Sequence, residues 1–378
     1  MAQGLCAGRE PLIHRSRRIG RSRLEQAKRL NSRNQRWSNI SIIPATDLVN
    51  PETRIIVNPD QGCASVLSEA GSDSHIFALD GTACYRLGRR HHLTSGPTLF
   101  AISDLHLNHR ANREIAEALH PETPGDWLVV AGDVANGMED IITFLALMRR
   151  RFAKVLWTPG NHDLWSRGGD PFRGADRYRH LVDRCREIDV LTPEDPYPAW
   201  PDPAGAIIVA PLFVLYDYSL RPAGASKQDA MALAYAARVV CNDETLLSPD
   251  PFPSREAWCT DRLRVTRARL DAIPAAARTV LISHWPLHPG PLRRLRSPEF
   301  SLWCGTSETA DWHVRYRCVA AVHGHLHIPV TDEYDGVRHE EVSLGYPRER
   351  VARTRPVQYG LRRILVRPAG LEPATERL

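Results

Sequence analysis

Five short apolar runs in this chain each stop at residues able to bind a divalent cation. TLFAIS leads to Asp104-Leu105-His106 and DWLVVAG to Asp133. KVLWTPG leads to Asn161-His162-Asp163, TVLIS to His284, and CVAAVHG to His325-Leu326-His327. Each run has the length and β-branched content of a buried strand. Helix-like stretches lie among them, namely RANREIAEALH, MEDIITFLALMRRRF and FRGADRYRHLVDRCREI. Such strand–helix alternation predicts a layered α/β fold with buried sheets. Ligands in these folds collect beyond the carboxyl ends of strands, which is where all five motifs sit.

The motifs offer seven oxygen and nitrogen donors: Asp104, His106, Asp133, Asn161, His284, His325 and His327. Seven suffice for two adjacent divalent ions, with His162 left over. Residues i and i+2 of an extended strand point the same way, so Asp104 and His106 can grip one ion together, as can His325 and His327. Gly132 lets the backbone turn without a Cβ clash. The two oxygens of Asp133 can then bridge ions about 3.5–4 Å apart. Asn161 adds a neutral oxygen and limits the negative charge. His162 diverges from its neighbour and is free to act as a general acid. Asp163 either orients His162 or caps the following segment. His288, His313 and His323 are left to local hydrogen bonding. Singly the motifs are weak, since a Gly-Asp pair also suits the N-cap of a helix near Met138.

The bulk numbers narrow the partners. A 378-residue chain with 43% hydrophobic residues has room for one α/β domain of roughly 250 residues plus extensions. The net charge of +5 is uneven. Residues 1–95 carry 14 Lys/Arg against 8 Asp/Glu, and the remainder 35 against 36. The motif-bearing part is therefore neutral, and no nucleic-acid partner is expected. No apolar run approaches the ~20 residues of a membrane span, and the opening MAQGLCAGRE does not resemble a secretory signal. Eight scattered cysteines without a Cys-x-x-Cys pair suit reduced thiols and a cytoplasmic location.

These patterns divide the chain into a basic extension over 1–95, expected to be disordered, a domain over 96–366, and a frayed tail over 367–378. Two stretches break the rhythm of the domain, 213–277 and 286–312, and are expected to form a cap beside the motifs. Its candidate substrate contacts are Arg293, Arg294 and Arg296 for phosphate, and Tyr216, Tyr218, Trp303 and Trp312 for an organic group. The favoured reading of each is plainer, with aromatics packing the cap and arginines solvated.

The order Asp-x-His, Gly-Asp, Gly-Asn-His, His, Gly-His-x-His resembles the calcineurin-like metallophosphoesterase superfamily over roughly residues 98–345. The resemblance implies a four-layer α/β/β/α sandwich with two mixed sheets. It implies one metal ion on Asp104, His106 and His327, a second on Asn161, His284 and His325, and Asp133 between them. Manganese, iron and zinc are the implied occupants, and all tolerate oxygen and imidazole donors. Two such cations lower the pKa of a shared water and supply hydroxide near neutral pH. RYRHLVDRCREIDVLTPEDPYP, VAPLFVLYDYS, PDPFPSREAWC, SPEFSLWCGTSETADWHVRY and EEVSLGYPRE resemble an actinobacterial branch of that superfamily, that of the phosphopantetheinyl hydrolases. This implies cleavage of the phosphodiester between 4′-phosphopantetheine and an acyl carrier protein. The alternatives are a broad small-molecule phosphodiesterase or phosphatase, and a scaffold that has lost catalysis.

Overall fold

The computed structural model describes residues 96–351 and 360–367, together with the backbone of five earlier strands. The chain divides into two compact units, Met1–Leu93 and Thr94–Leu378. In the first, β1 (Ser41–Ile42), β2 (Thr53–Asn58), β3 (Cys63–Ser68), β4 (His75–Leu79) and β5 (Cys84–Arg89) form an antiparallel sheet in the order β1-β5-β4-β3-β2. Strands therefore stand where an extension without regular structure is expected. Runs such as TRIIVN and HIFAL, separated by turn formers such as NPDQG and DGT, account for the pairing. The Arg-rich run and the tail from residue 368 lie outside the described residues.

The second unit opens with β6 (Thr98–Ile102), α1 (Arg110–Glu117), β7 (Trp127–Val130), α2 (Met138–Arg151), β8 (Lys154–Trp157), α3 (Asn161–Leu164) and α4 (Gly174–Glu187). It continues with β9 (Ala199–Trp200), β10 (Ile207–Pro211), α5 (Lys227–Ala236), α6 (Asp243–Leu246), α7 (Arg255–Asp271) and β11 (Arg278–Ile282). It closes with α8 (Trp312–Arg315), β12 (Cys318–His323), β13 (Val330–Tyr334), β14 (Val337–Glu341), α9 (Pro347–Val351) and β15 (Arg362–Val366). One sheet has the order β15-β6-β7-β8 and the other β13-β14-β12-β11-β10-β9. Both are mixed: β6, β7 and β8 run parallel with β15 antiparallel, and β10, β11, β12 and β14 run parallel between antiparallel β9 and β13.

The two-residue period of each strand sorts its side chains between two cores. Leu99, Ala101, Val129 and Leu156 meet Val209, Val280, Ile282, Ala320 and Val322 between the sheets. Their neighbours Phe100, Ile102, Leu128, Val130, Val155, Trp157 and Leu281 face the helices. The result is the expected α/β/β/α sandwich. Within it, α2 buries Ile141, Ile142, Leu145 and Met148 on one stripe. Glu139 and Asp140 lie in its first turn and Arg149–Arg151 in its last, which complements the helix dipole. Among the described residues no helix is long and apolar enough to cross a membrane.

The interruption at 213–277 contains α5, α6 and α7, and that at 286–312 forms three 3₁₀ turns, Gly290–Arg294, Pro298–Trp303 and Ser307–Thr309. Glu244 ties the two together. Its carboxylate accepts hydrogen bonds from Tyr218 Oη and Trp303 Nε1, both at 2.7 Å, and from Arg255 at 3.0 Å. Trp258, Cys259, Leu263 and Leu270 of α7 join the main helix-side core, so this helix belongs to the outer layer rather than to a separate cap.

Leu145 is fully buried on α2. Leu145→Ala is expected to cost about 2–5 kcal/mol. This is measured as a drop in the urea midpoint at unchanged slope, with activity of the folded fraction retained.

Candidate metal centre

Strand β6 ends at Ile102, so Asp104 and His106 sit on the loop beyond it rather than on an extended strand. They face the same way for another reason. Asp104, His106, Asp133, His325 and His327 adopt φ of 51°, 43°, 57°, 70° and 56°, a left-handed conformation unusual for residues with a Cβ. The strain of these turns, rather than the pleat, aims the donors inward. Close backbone approach also matters. A Cβ on Gly132, whose φ is +85°, would lie 2.6 Å from Gly160 N and 2.7 Å from His284 Nδ1. Ser103 pairs with Ser343 across the two sheets, which brings segment 342–345 to the same edge.

The predicted residues gather as two donor sets around Asp133. In the first, His327 Nε2 lies 3.0 Å from Asp104 Oδ1 and 3.1 Å from His106 Nε2. In the second, His284 Nε2 lies 3.1 Å from Asn161 Oδ1 and 3.2 Å from His325 Nδ1. Asp133 Oδ2 faces both, at 4.0 Å from His106 Nε2 and 3.5 Å from His284 Nε2. Nitrogen and oxygen ligands at 2.0–2.2 Å from one ion stand about 3–3.5 Å apart, so these separations suit divalent metals.

The neighbours of these donors reinforce that fit. His284 Nδ1 donates to Ala131 O at 2.9 Å, which leaves the Nε2 lone pair facing Asn161. The Asn161 Nδ2 amide donates to Asp243 Oδ1 at 2.9 Å, which turns Oδ1 towards His284. Two acceptors thus meet at 3.1 Å with no proton of their own to share, an arrangement that a cation satisfies. His327 is oriented likewise, its Nδ1 standing 2.8 Å from Glu349 Oε2. The Asp104 carboxylate accepts from His325 N at 3.0 Å and Ser343 Oγ at 2.6 Å.

Burial would raise the Asp104 carboxyl, but the imidazoles of His327, His284 and His106 hold it well below its ordinary value. Asp133 is pushed well above it by burial and by the carboxylates of Asp104 and Asp163. Burial and neighbouring imidazoles lower His106 to about 3 and hold His325 and His162 well below their usual range. His284 is lowered too, chiefly by burial. His327 alone rises, to about 10, because Asp104 and Glu349 outweigh its burial. His327 apart, the pocket is thus a set of neutral imidazoles around crowded carboxyl groups, and a cation relieves the crowding.

His162 stands beside both sets. Its backbone N–H donates to Asp133 Oδ1 at 2.8 Å, while its ring Nε2 is 4.0 Å from Asp133 Oδ2. Its Nδ1 lies 2.9 Å from Asn136 Oδ1 and its Nε2 3.3 Å from Tyr346 Oη. Asp163 turns its carboxylate to the backbone instead. Its carboxylate accepts from the backbone N–H groups of Asp133, Val134, Ala135 and Gly160 at 2.8–3.3 Å, which favours the capping reading. Tyr346, Asn136, Glu349 and Asp243 are the residues missed from sequence. The stretch EEVSLGYPRE contains two of them, whereas Asn136 and Asp243 lie in no recognisable motif.

The substrate candidates fare differently. Tyr216, Tyr218, Trp303 and Trp312 are at most 1% exposed, so they pack the fold rather than offer a surface. Arg294 pairs with Asp332 at 2.8 Å, and Arg293 Nε points at Gly290 O at 3.3 Å.

Residues 97–329 match the family model for calcineurin-like phosphoesterases. The [acyl-carrier-protein] phosphodiesterase PptH of Mycobacterium tuberculosis is 53% identical over 275 residues, which are 72% of this chain and 84% of that protein. The crystal structure of phosphopantetheinyl hydrolase (PptH) from Mycobacterium tuberculosis superposes with a TM-score of 0.69 at 52% identity. That match covers 72% of this chain and 96% of the other.

Asp243→Ala removes the acceptor that turns Asn161. Metal affinity is expected to fall about 10–100-fold, as for other residues that orient ligands. Titration of stripped protein with Mn²⁺ measures this, and unchanged affinity would remove Asp243 from the site. Metal at 100 times its Kd is expected to stabilise the stripped wild-type protein by about 2.7 kcal/mol. The readout is a higher melting temperature, and no rise would contradict metal binding to the folded form.

Proposed function

The chain belongs to the calcineurin-like phosphoesterase family, and on that footing we propose that it releases 4′-phosphopantetheine from holo-acyl carrier protein. The bond hydrolysed is the phosphodiester to the carrier-protein serine, and the products are apo-carrier protein and 4′-phosphopantetheine. The family makes the chain a metal-dependent phosphoric ester hydrolase. The substrate rests on one observation, the identity to an [acyl-carrier-protein] phosphodiesterase over a span that contains most of the domain.

Asp104, His106 and His327 would hold one ion, Asn161, His284 and His325 the other, and Asp133 both. Such ions supply Lewis acidity, which neutralises phosphoryl charge and makes water acidic enough to yield a nucleophile. The donor set suits manganese, iron or zinc. Around that centre the chain's own residues order the reaction. His162 stands over Asp133 between Trp165 and Tyr346, with ring centroids 3.5 Å and 6.4 Å away. His162 would stabilise or protonate the serine oxygen as the P–O bond breaks. Asn136 and Tyr346 fix its ring, with Nδ1 2.9 Å from Asn136 Oδ1 and Nε2 3.3 Å from the Tyr346 hydroxyl. Exposed Arg348, 5.3 Å from the Tyr346 ring, places a positive charge at the rim, where it can meet a phosphate. Cys185, Cys241, Cys259, Cys304 and Cys318 are free thiols, which supports the cytoplasm as the compartment.

The test is incubation of Mn²⁺-loaded protein with holo-acyl carrier protein, followed by intact-mass measurement of the carrier. Metal-dependent loss of the phosphopantetheinyl group is expected. His162→Ala is expected to slow it by about 10²–10⁴-fold with metal content unchanged. An unchanged carrier mass alongside turnover of an aryl phosphodiester would discard the carrier-protein substrate and keep the chemistry.

A further inference from the structure

A second group of histidines lies away from the seven donors. His288 follows β11, His313 is on α8, and His339 is on β14. Asp335 occupies the turn between β13 and β14. Single ligand atoms of His288, His313 and Asp335 all lie within 4.8 Å of one another. His313 Nε2 is 3.0 Å from Asp335 Oδ2.

His313 and His339 are each only 1% exposed, yet Nδ1 of His313 and both ring nitrogens of His339 have no hydrogen-bond partner. Buried polar atoms without partners are uncommon in folded proteins and call for a physical cause, such as an ion. Edge-on contacts of His339 with His313 and Tyr334 can engage a ring N–H, but they leave the ring lone pairs without a donor or cation.

Ring spacing gives an independent measure. The His288–His313, His313–His339 and His288–His339 centroids are 5.0, 5.1 and 5.7 Å apart. Within the metal centre, the pairs assigned to a common ion, His106–His327 and His284–His325, stand at 5.0 and 5.1 Å. Imidazoles on one tetrahedral ion with bonds of 2.0–2.1 Å are expected to show about 5 Å between centroids.

From this geometry we propose that His288, His313 and Asp335, with the His339 ring alongside, form a third metal site that takes a zinc-class divalent ion. Two imidazoles and one carboxylate, with a third imidazole alongside, are a nitrogen–oxygen donor set suited to zinc. The Asp335 side chain is 64% exposed, so the site opens to solvent on that side. His339, lowered to about 3 by burial and adjacent imidazoles, and His288, lowered mainly by burial, are neutral and able to bind. His288 is the weakest donor, because its Nδ1 accepts Gly290 N–H at 3.0 Å and binding requires the other tautomer. The ion would clamp the loop after β11, α8 and the β13–β14 turn, and so brace the segment that carries His284 and the strand that leads to His325.

The experiment strips the full-length protein with chelator, reloads it with Zn²⁺, and counts ions per chain by mass spectrometry after gel filtration. Wild type is expected to hold one more ion than His313→Gln, with turnover of an aryl phosphodiester within twofold. Asp335→Asn serves as the second variant, since asparagine tolerates the left-handed φ of 51° at that turn. It is expected to bind the extra ion at least tenfold more weakly in competition with a chelating dye. Equal ion counts in wild type and His313→Gln, or an Asp335→Asn variant with wild-type affinity, would overturn the site.

Discussion

The active end of this molecule is organised by one buried carboxylate. Asp133 is 2% exposed, and its Oδ1 accepts the His162 amide while its Oδ2 faces His106, His284 and His162. Burying an ion without a counter-charge is costly, and Asp104 and Asp163 stand close enough to worsen it. The fold holds Asp133 there by fixing its backbone. Asp163 grips the N–H groups of residues 133–135, and the glycine before Asp133 admits the Gly160 backbone at a distance that any side chain would block. The strained φ values of five donors are a related cost, offset by the packed sheets that hold the loops. A site that concentrates buried acceptors around one carboxylate is arranged for cations.

Much of this was legible in the sequence, because chemistry and strand ends coincide. The runs before Asp104, Asp133, Asn161, His284 and His325 are too apolar to be anything but buried strands, and each ends at a donor. A two-residue spacing suggests a pleat as the means by which Asp104 and His106 face one way, whereas the structure uses left-handed turns. No local pattern distinguishes such a turn from a strand. Asp243 and Asn136 were invisible for another reason. They act through the orientation of a neighbour, and the contact spans 82 residues for Asp243 and 26 for Asn136. Only three-dimensional placement reveals such partners.

The interruptions of the α/β rhythm also support the site. Tyr216, Tyr218, Trp303 and Trp312 are packed away, as the plainer reading expects, and Glu244 cross-links the two inserts. The insert instead supplies Asp243, which sets the Asn161 amide and accepts Trp165 Nε1 at 2.6 Å. The loop after β14 supplies Tyr346 and Glu349 in the same way. Elements peripheral to the sandwich thus orient the candidate metal donors.

The claim that Asp133 joins two adjacent metal ions is tested most directly by anomalous diffraction at the manganese edge from crystals of the Mn²⁺-loaded protein. Two peaks about 3.5–4 Å apart with the Asp133 carboxylate between them are the predicted result. A single peak, or two that do not share Asp133, would contradict it.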